Sequence, residues 1–192
     1  VYNSYYSGTH TANYGIRGDI FGYTREGVWQ TVRWCWLLLE NVDRVPGMGE
    51  DEKVKMKAEA KCLIAARYFD MFRHYGGLPL IYASFMGTET NYQLPRATVE
   101  ETVNYMDKML EEAIESGGLK WAYEGADFNS DSGHWTLAGA MALRCKLWQF
   151  AASPLFNDTQ GYAGGRSEAE QQHLVWYGSK RPELWNKCLE YC

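Results

Sequence analysis

Aromatic side chains in the irregular parts of the sequence are the residues best suited to a chemical role. The chain of 192 residues contains 8 Trp, 14 Tyr and 7 Phe, so 15% of it is aromatic, while the mean hydropathy is -0.44. A core of this size does not need so many rings, so we expect some of them to face solvent or a ligand. The apolar C–H faces of pyranose rings stack on Trp and Tyr, while Asn, Asp and Arg bind the hydroxyls. The rings therefore indicate a carbohydrate-binding site.

The candidate ligand-binding residues fall in two irregular stretches, which have no sustained helical or strand periodicity. For each of them, packing in the core is the alternative interpretation, whereas aromatic residues inside helices are expected to be buried. The candidates are Tyr5, Tyr6, Tyr14 and Arg17 in the first stretch and Trp121, Tyr123 and Trp135 in the second. The aromatic residues expected to be buried in helices are Trp29, Trp34, Trp36, Phe69, Phe72 and Trp148.

Catalytic groups are much harder to find. The four histidines, His10, His74, His134 and His173, are far apart, and the sequence has neither an HExxH nor a GxSxG motif. Most acidic residues occupy first turns or polar faces of predicted helices, where solvation and the helix dipole explain them. We therefore expect a protein that is not an enzyme. A helical glycosidase, with two carboxylates facing each other across a cleft, is the alternative.

No metal or cofactor site is predicted. Residues 127–133 resemble the start of a calcium loop, but Ser132 stands where glycine is needed and Ala138 where the closing carboxylate is needed, so a polar turn is favoured. The cysteines are odd in number and lack CxxC spacing, which favours buried small hydrophobic residues over disulfides or metal ligands. They are Cys35, Cys62, Cys145, Cys188 and Cys192.

Charge and hydropathy exclude two further classes of function. A net charge of -5 with a pI near 5.4 argues against a nucleic acid partner, because phosphate binding requires clustered Lys and Arg. The longest apolar run extends from Trp34 to Leu39, far short of a membrane span.

The periodicity of apolar residues predicts an all-α fold. Helices are expected over residues 26–42, 50–75, 98–115 and 136–152, with a capping box formed by Thr98 and Glu101. A short helix is expected within 168–177 and a last one from 182, while 78–82 is extended. Helix pairs joined by long irregular loops are typical of tetratricopeptide-like repeats, so a peptide-binding scaffold is another alternative.

The last predicted helix has an apolar face with no later segment to pack against, formed by Leu184, Trp185, Cys188 and Leu189. We therefore expect residues 1–192 to be a single helical domain that is a portion of a longer protein, or that needs a partner.

Four stretches, in this order, are similar to the SusD/RagB family of outer-membrane nutrient-binding lipoproteins. They are VRWCWLLLENV at 32–42, AEAKCLIAARYF at 58–69 with YGGLPL at 75–80, LPRATVEE at 94–101, and AGAMAL at 138–143 with AASPLFN at 151–157. The sequence departs from the family pattern at Trp36, Cys62 and Ile64, where the family usually has Asn, an aromatic residue and Arg.

The resemblance implies a function and a location. It implies that the protein binds an oligosaccharide or polysaccharide nutrient without chemistry on it, and delivers it to a SusC-like TonB-dependent transporter. It also implies lipid anchorage at the cell surface through a Cys upstream of Val1. Members of the family are several hundred residues long, so part of the ligand site is expected outside this sequence.

Overall fold

The computed structural model describes residues 26–85, 87 and 93–192, and within these ranges the fold is all-α, as predicted. No described residue lies in a strand. Five longer helices are joined by loops that contain a 3-10 turn at Val42–Arg44 and two short helices. The longer helices are α1 (Glu26–Asn41), α2 (Glu50–Tyr75), α3 (Val99–Glu115), α5 (Leu137–Ala152) and α7 (Glu183–Tyr191), and the short ones are α4 (Ala126–Asp131) and α6 (Glu168–Gln171).

The long helices pack on one another in chain order. α1 contacts α2, α2 contacts α3, α3 contacts α5, and α5 contacts α7. The predicted apolar face of α2 is buried along its length, and it is formed by Ala58, Cys62, Ala65, Phe69 and Phe72. Because α2 also reaches α5, it lies at the centre of the core.

The N-termini of α3 and α5 are capped by side chains. At the start of α3 the hydroxyl of Thr98 accepts from the N–H of Glu101, and the carboxylate of Glu101 accepts from the N–H of Thr98. This reciprocal pair is the predicted capping box, and it satisfies two backbone donors that the helix leaves open. At the start of α5, Thr136 accepts from the N–H of Gly139 at 3.0 Å.

The YGGLPL segment after α2 is extended and is threaded closely between other parts of the backbone. The N–H of Gly77 donates to the carbonyl of Leu174 at 2.6 Å, and the N–H of Leu78 donates to the hydroxyl of Thr102 at 3.1 Å. A Cβ at Gly77 would collide with the carbonyl oxygen of Ala97. Glycine is required here because another main chain occupies the space of a side chain.

The ASPLFN segment after α5 fixes the approach to α7. Asn157 is buried, and its amide donates to the carbonyl of Arg181 at 2.9 Å while its oxygen accepts from the N–H of Arg181 at 2.6 Å. One side chain thus replaces the backbone pairing that a strand would supply, and it holds two loops together where α7 begins.

Two expectations about the packing of side chains are wrong. Cys145 and Cys192 form a disulfide, because α7 packs on α5 and brings residues together that their spacing does not relate. Trp34 is 56% exposed although it lies in a helix, because it lies on the outer side of α1.

The apolar face of α7 is covered in part by α5, which precedes it in the chain. Leu184 and Cys188 are buried there, whereas Leu189 stays exposed. That residues 1–192 are a portion of a longer protein, or need a partner, stays a prediction.

The other cysteines behave as predicted: Cys35, Cys62 and Cys188 are free thiols and are buried. Burial raises the pKa of the Cys62 thiol to about 12, so it stays protonated and inert. Within the described ranges, no helix has the length and apolar character needed to cross a bilayer.

Candidate functional site

The first group of candidate residues, Tyr5, Tyr6, Tyr14 and Arg17, lies outside the described residues. Their role in ligand binding stays a prediction.

The second group meets in the connection between α3 and α5. The hydroxyl of Tyr123 donates to the carbonyl of Trp135 at 3.3 Å. Trp135 is half-buried and packs against the core, whereas Trp121 is 64% exposed. The main chain at Trp135 therefore holds the hydroxyl of Tyr123, the Trp135 ring packs on the core, and Trp121 offers its ring to solvent.

Tyr123 lies in a pocket of about 530 Å³, which we call the Tyr123 cleft. The pocket forms where the end of α3 meets the start of α2. A Cβ at Gly118 would lie 2.8 Å from the backbone of Val54, so glycine permits this close approach of the two elements. The polar side chains that line the cleft are Asp51, Glu52, Lys55, Ser116, Lys120 and Asp131.

The two lysines of the Tyr123 cleft are paired with carboxylates. The ammonium of Lys55 lies 2.5 Å from the carboxylate of Asp131 and 5.2 Å from the centroid of the Tyr123 ring. The hydrogen bond between the pair lowers the pKa of Asp131 and raises that of Lys55. Lys120 pairs with Asp127 beside them. Both groups of the central pair therefore stay charged at neutral pH and present fixed donors and acceptors beside an aromatic ring.

Sequence reasoning missed Lys55 and Asp131 as members of this cleft. They are 76 positions apart in the chain. Lys55 belongs to no motif, and Asp131 belongs only to the stretch 127–133 that resembles a calcium loop. The one local indication is that Lys55 lies in the first turns of α2, which pack beside the segment that follows α3.

The carboxylates with shifted pKa values bear on the alternative of a helical glycosidase. A glycosidase acid needs a carboxyl group whose pKa is raised, so that it stays protonated near neutral pH. The described carboxylates with shifted pKa values are Glu101, Asp131 and Glu170, and in each the pKa is lowered. The described ranges also contain no group of three or more His, Cys, Asp or Glu side chains that could hold a metal ion.

The stretch with partial likeness to a calcium loop has a different structure from the one expected. A polar turn was predicted, but residues Ala126–Asp131 form the short helix α4. Two of its carboxylates form ion pairs with lysines of the protein: Asp127 with Lys120, and Asp131 with Lys55.

The sequence and the fold are both similar to those of known proteins. Residues 1–121 match the family model SusD-like_3, which is described as starch-binding associating with outer membrane. A comparison with curated proteins gave no significant match.

Solved structures show the same fold. A structure named BT4246 has a TM-score of 0.71 at 22% identity, covering 86% of this chain and 28% of its own. A laminarin binding SusD-like protein has a TM-score of 0.60 at 22% identity, covering 79% of this chain and 28% of its own. A SusD-like protein from Bacteroides fragilis has a TM-score of 0.55 at 25% identity, covering 69% and 28%.

The present chain thus spans a little over a quarter of the length of these structures. Their likeness establishes the helical fold, and the family model covers well over half of the sequence. The chain therefore belongs to the SusD-like family.

Proposed function

We propose that the protein binds an oligosaccharide or polysaccharide nutrient at the cell surface and delivers it to a TonB-dependent transporter, without chemistry on the ligand. The family description names starch binding and association with the outer membrane. The names of two structural relatives, a laminarin binding protein and a surface glycan-binding protein from Bacteroides fluxus, are consistent with a carbohydrate ligand.

The observation that carries the binding proposal is the exposure of Trp121 next to the Tyr123 cleft. The apolar face of an exposed indole gains free energy when a ligand covers it, and Trp121 stands beside polar groups that can bind hydroxyls. A pyranose ring covers such a face, and its hydroxyls can bind the paired charges of Lys55 and Asp131. Lys55 and Asp131 compensate each other, and Asp51 and Glu52 add negative charge to the lining, so a neutral sugar fits this cleft better than an anionic ligand.

The binding test uses the full-length protein. A glycan array identifies a ligand, and isothermal titration calorimetry then compares the wild type with Trp121→Ala and with Trp185→Ala. Trp185 is an exposed indole on α7, so it controls for the loss of any surface Trp.

We expect Trp121→Ala to weaken binding about tenfold, equivalent to about 1.4 kcal/mol, while Trp185→Ala binds as the wild type does. If no glycan binds the wild type, the proposed function is wrong. If the two variants bind equally well, Trp121 is not part of the site.

Delivery and location need a separate test. We propose that the intact protein is lipid-anchored at the outer membrane and forms a complex with a SusC-like transporter. Affinity purification from detergent-solubilised outer membranes is expected to recover a TonB-dependent transporter with it. Recovery of the protein from the soluble fraction alone would contradict this part of the proposal.

A further inference from the structure

A second aromatic cleft lies along α3 from Glu101 to Glu112, and the Tyr123 cleft begins one turn later, at Ser116. Its volume is about 470 Å³, and we call it the Tyr82 cleft. The side chains that line it include Trp36, Leu80, Tyr82, Asn104, Tyr105 and Lys108. Since α-helices rise about 1.5 Å per residue, Asn104 and Ser116 of the two clefts lie about 18 Å apart along the helix.

Tyr82 is displayed on a backbone that is firmly held. The carbonyl of Ile81 accepts from the hydroxyl of Tyr105 at 2.6 Å, and the N–H of Ile81 donates to the hydroxyl of Tyr68 at 3.0 Å. Two residues after Tyr82, the N–H of Ser84 donates to the carboxylate of Glu40 at 2.9 Å. Tyr82 thus has its main chain fixed on both sides.

The side chain of Tyr82 is nevertheless 62% exposed. Its ring meets the ring of Tyr105 at 87° with centroids 5.2 Å apart. In such a T-shaped pair Tyr105 covers at most one face of the Tyr82 ring, and the exposure of the side chain leaves ring surface open for stacking. A rigid backbone with an open ring face is a preorganised surface, which lowers the entropic cost of binding a ligand.

Polar groups that suit sugar hydroxyls stand beside this ring. Asn104 is exposed, and its side-chain amide makes no hydrogen bond to any described residue, so both its donor and its acceptor are free. Lys108 lies one helical turn further on, on the same face of α3. Its ammonium is 3.9 Å from Glu112 and largely exposed.

We propose that the Tyr82 cleft is a second carbohydrate-binding surface, in which a pyranose ring stacks on Tyr82 while Asn104 and Lys108 bind its hydroxyls. This inference rests on the proposed function and adds a site to it. With two surfaces on one helix, a polysaccharide gains affinity from contact at both, whereas a short oligosaccharide occupies one at a time.

The test compares point variants of the full-length protein by calorimetry, with the glycan identified on the array as ligand. Tyr82→Ala removes the ring, and Tyr82→Phe keeps the ring and removes only the hydroxyl. Asn104→Ala removes the free amide from an exposed helical position, where alanine favours the helix. Tyr162→Ala is the matched control, because Tyr162 is 93% exposed and lies outside both clefts.

We expect Tyr82→Ala to weaken polysaccharide binding at least fivefold and Asn104→Ala about threefold, while Tyr82→Phe and Tyr162→Ala stay within twofold of the wild type. If the wild type binds the glycan and both Tyr82→Ala and Asn104→Ala bind it equally well, the Tyr82 cleft is not a sugar site, although the proposed function stands. If the wild type binds no glycan, the proposed function itself fails.

Discussion

The guanidinium of Arg144 on α5 donates two hydrogen bonds to the carboxylate of Asp107 on α3, at 2.7 and 3.1 Å. The same carboxylate accepts from the indole N–H of Trp148 at 2.7 Å, and Arg144 also reaches Glu111 at 2.9 Å. Arg144 is only 7% exposed. Burial by itself disfavours its charge, but the hydrogen bonds to the two carboxylates outweigh burial and raise the pKa of Arg144. The ion pair therefore holds two helices together from inside.

Removing the acid from this ion pair is expected to destabilise the fold strongly. Asp107→Ala leaves the Arg144 guanidinium and the Trp148 indole buried without their main acceptor, which costs about 3 kcal/mol. Urea denaturation followed by circular dichroism measures the loss. Lys146→Ala, an exposed change on α5, the helix that carries Arg144, is the control and is expected to change stability by less than about 0.5 kcal/mol. Equal stability of the two variants would contradict the structural role of the pair.

The disulfide between Cys145 and Cys192 is expected to stabilise α7 against α5. The two residues are separated by 47 positions, and in the chain-entropy account a closed loop of that size contributes about 4 kcal/mol at most. Adding a reductant should therefore lower the melting temperature of the wild type and leave that of Cys145→Ser unchanged. A wild type that melts at the same temperature with and without reductant would show that the bond is absent or contributes nothing.

The free thiol of Cys188, which lies near this disulfide, provides a sharper check of which cysteines are paired. The sulfur of Cys188 lies 3.9 Å from that of Cys192, so a change of partner is the simplest alternative. Peptide mapping under non-reducing conditions is expected to recover the Cys145–Cys192 linkage in both the wild type and Cys188→Ser. A wild-type linkage between Cys145 and Cys188 would contradict the structure.

Gly77 is expected to tolerate no side chain. A methyl group there meets the carbonyl of Ala97, which belongs to the main chain and cannot rotate away. Gly77→Ala should therefore cost more than about 2 kcal/mol or prevent folding. Gly27→Ala is the matched control, since a Cβ at Gly27 in α1 meets nothing within 4 Å. That change should be neutral or stabilising by up to about 1 kcal/mol, so comparable destabilisation of both would refute the argument from packing.

The capping box at α3 predicts a specific dependence on pH. The backbone N–H and the hydroxyl of Thr98 lower the pKa of Glu101 below its usual value of 4.5. Because the folded-state pKa is the lower one, this stabilisation is complete well above pH 4.5 and is lost as the pH falls through the lowered value. Thr98→Ala should cost about 1 kcal/mol at neutral pH and less at about pH 3.

The cap of α5 supplies the control for this experiment. Thr136 accepts a backbone hydrogen bond as Thr98 does, but the residue at the third helical position is Gly139, which does not titrate. Thr136→Ala is therefore expected to cost the same at both pH values, as urea denaturation at pH 7 and pH 3 can measure. A cost for Thr98→Ala that does not change with pH would show that Glu101 takes no part.

The features that could be predicted from the sequence are those set by neighbouring residues. The capping box of Thr98 and Glu101 spans three positions, and the end of α2 at Tyr75 follows from the two glycines after it. Both were predicted because helix periodicity, caps and glycine stops are local properties. The buried face of α2 follows from the same local periodicity.

The features that were missed depend on which helices become neighbours. The disulfide of Cys145 and the pairing of Lys55 with Asp131 join residues far apart in the sequence, so no spacing rule relates them. From the sequence, Tyr82 is predicted only to be part of the extended segment 78–82. Its value as a binding group follows from the hydroxyls of Tyr68 and Tyr105 that hold the adjacent backbone, and those come from two different helices.

The disulfide also changes what happens when the chain is cut. Residues 145–192 form a covalently closed ring, and Arg166 stands exposed in the glycine-rich loop within it. Trypsin cleavage after Arg166 would therefore leave both fragments linked and migrating as one species until a reductant is added. A protein with this topology can lose the continuity of its backbone at that loop and still keep α7 attached to α5.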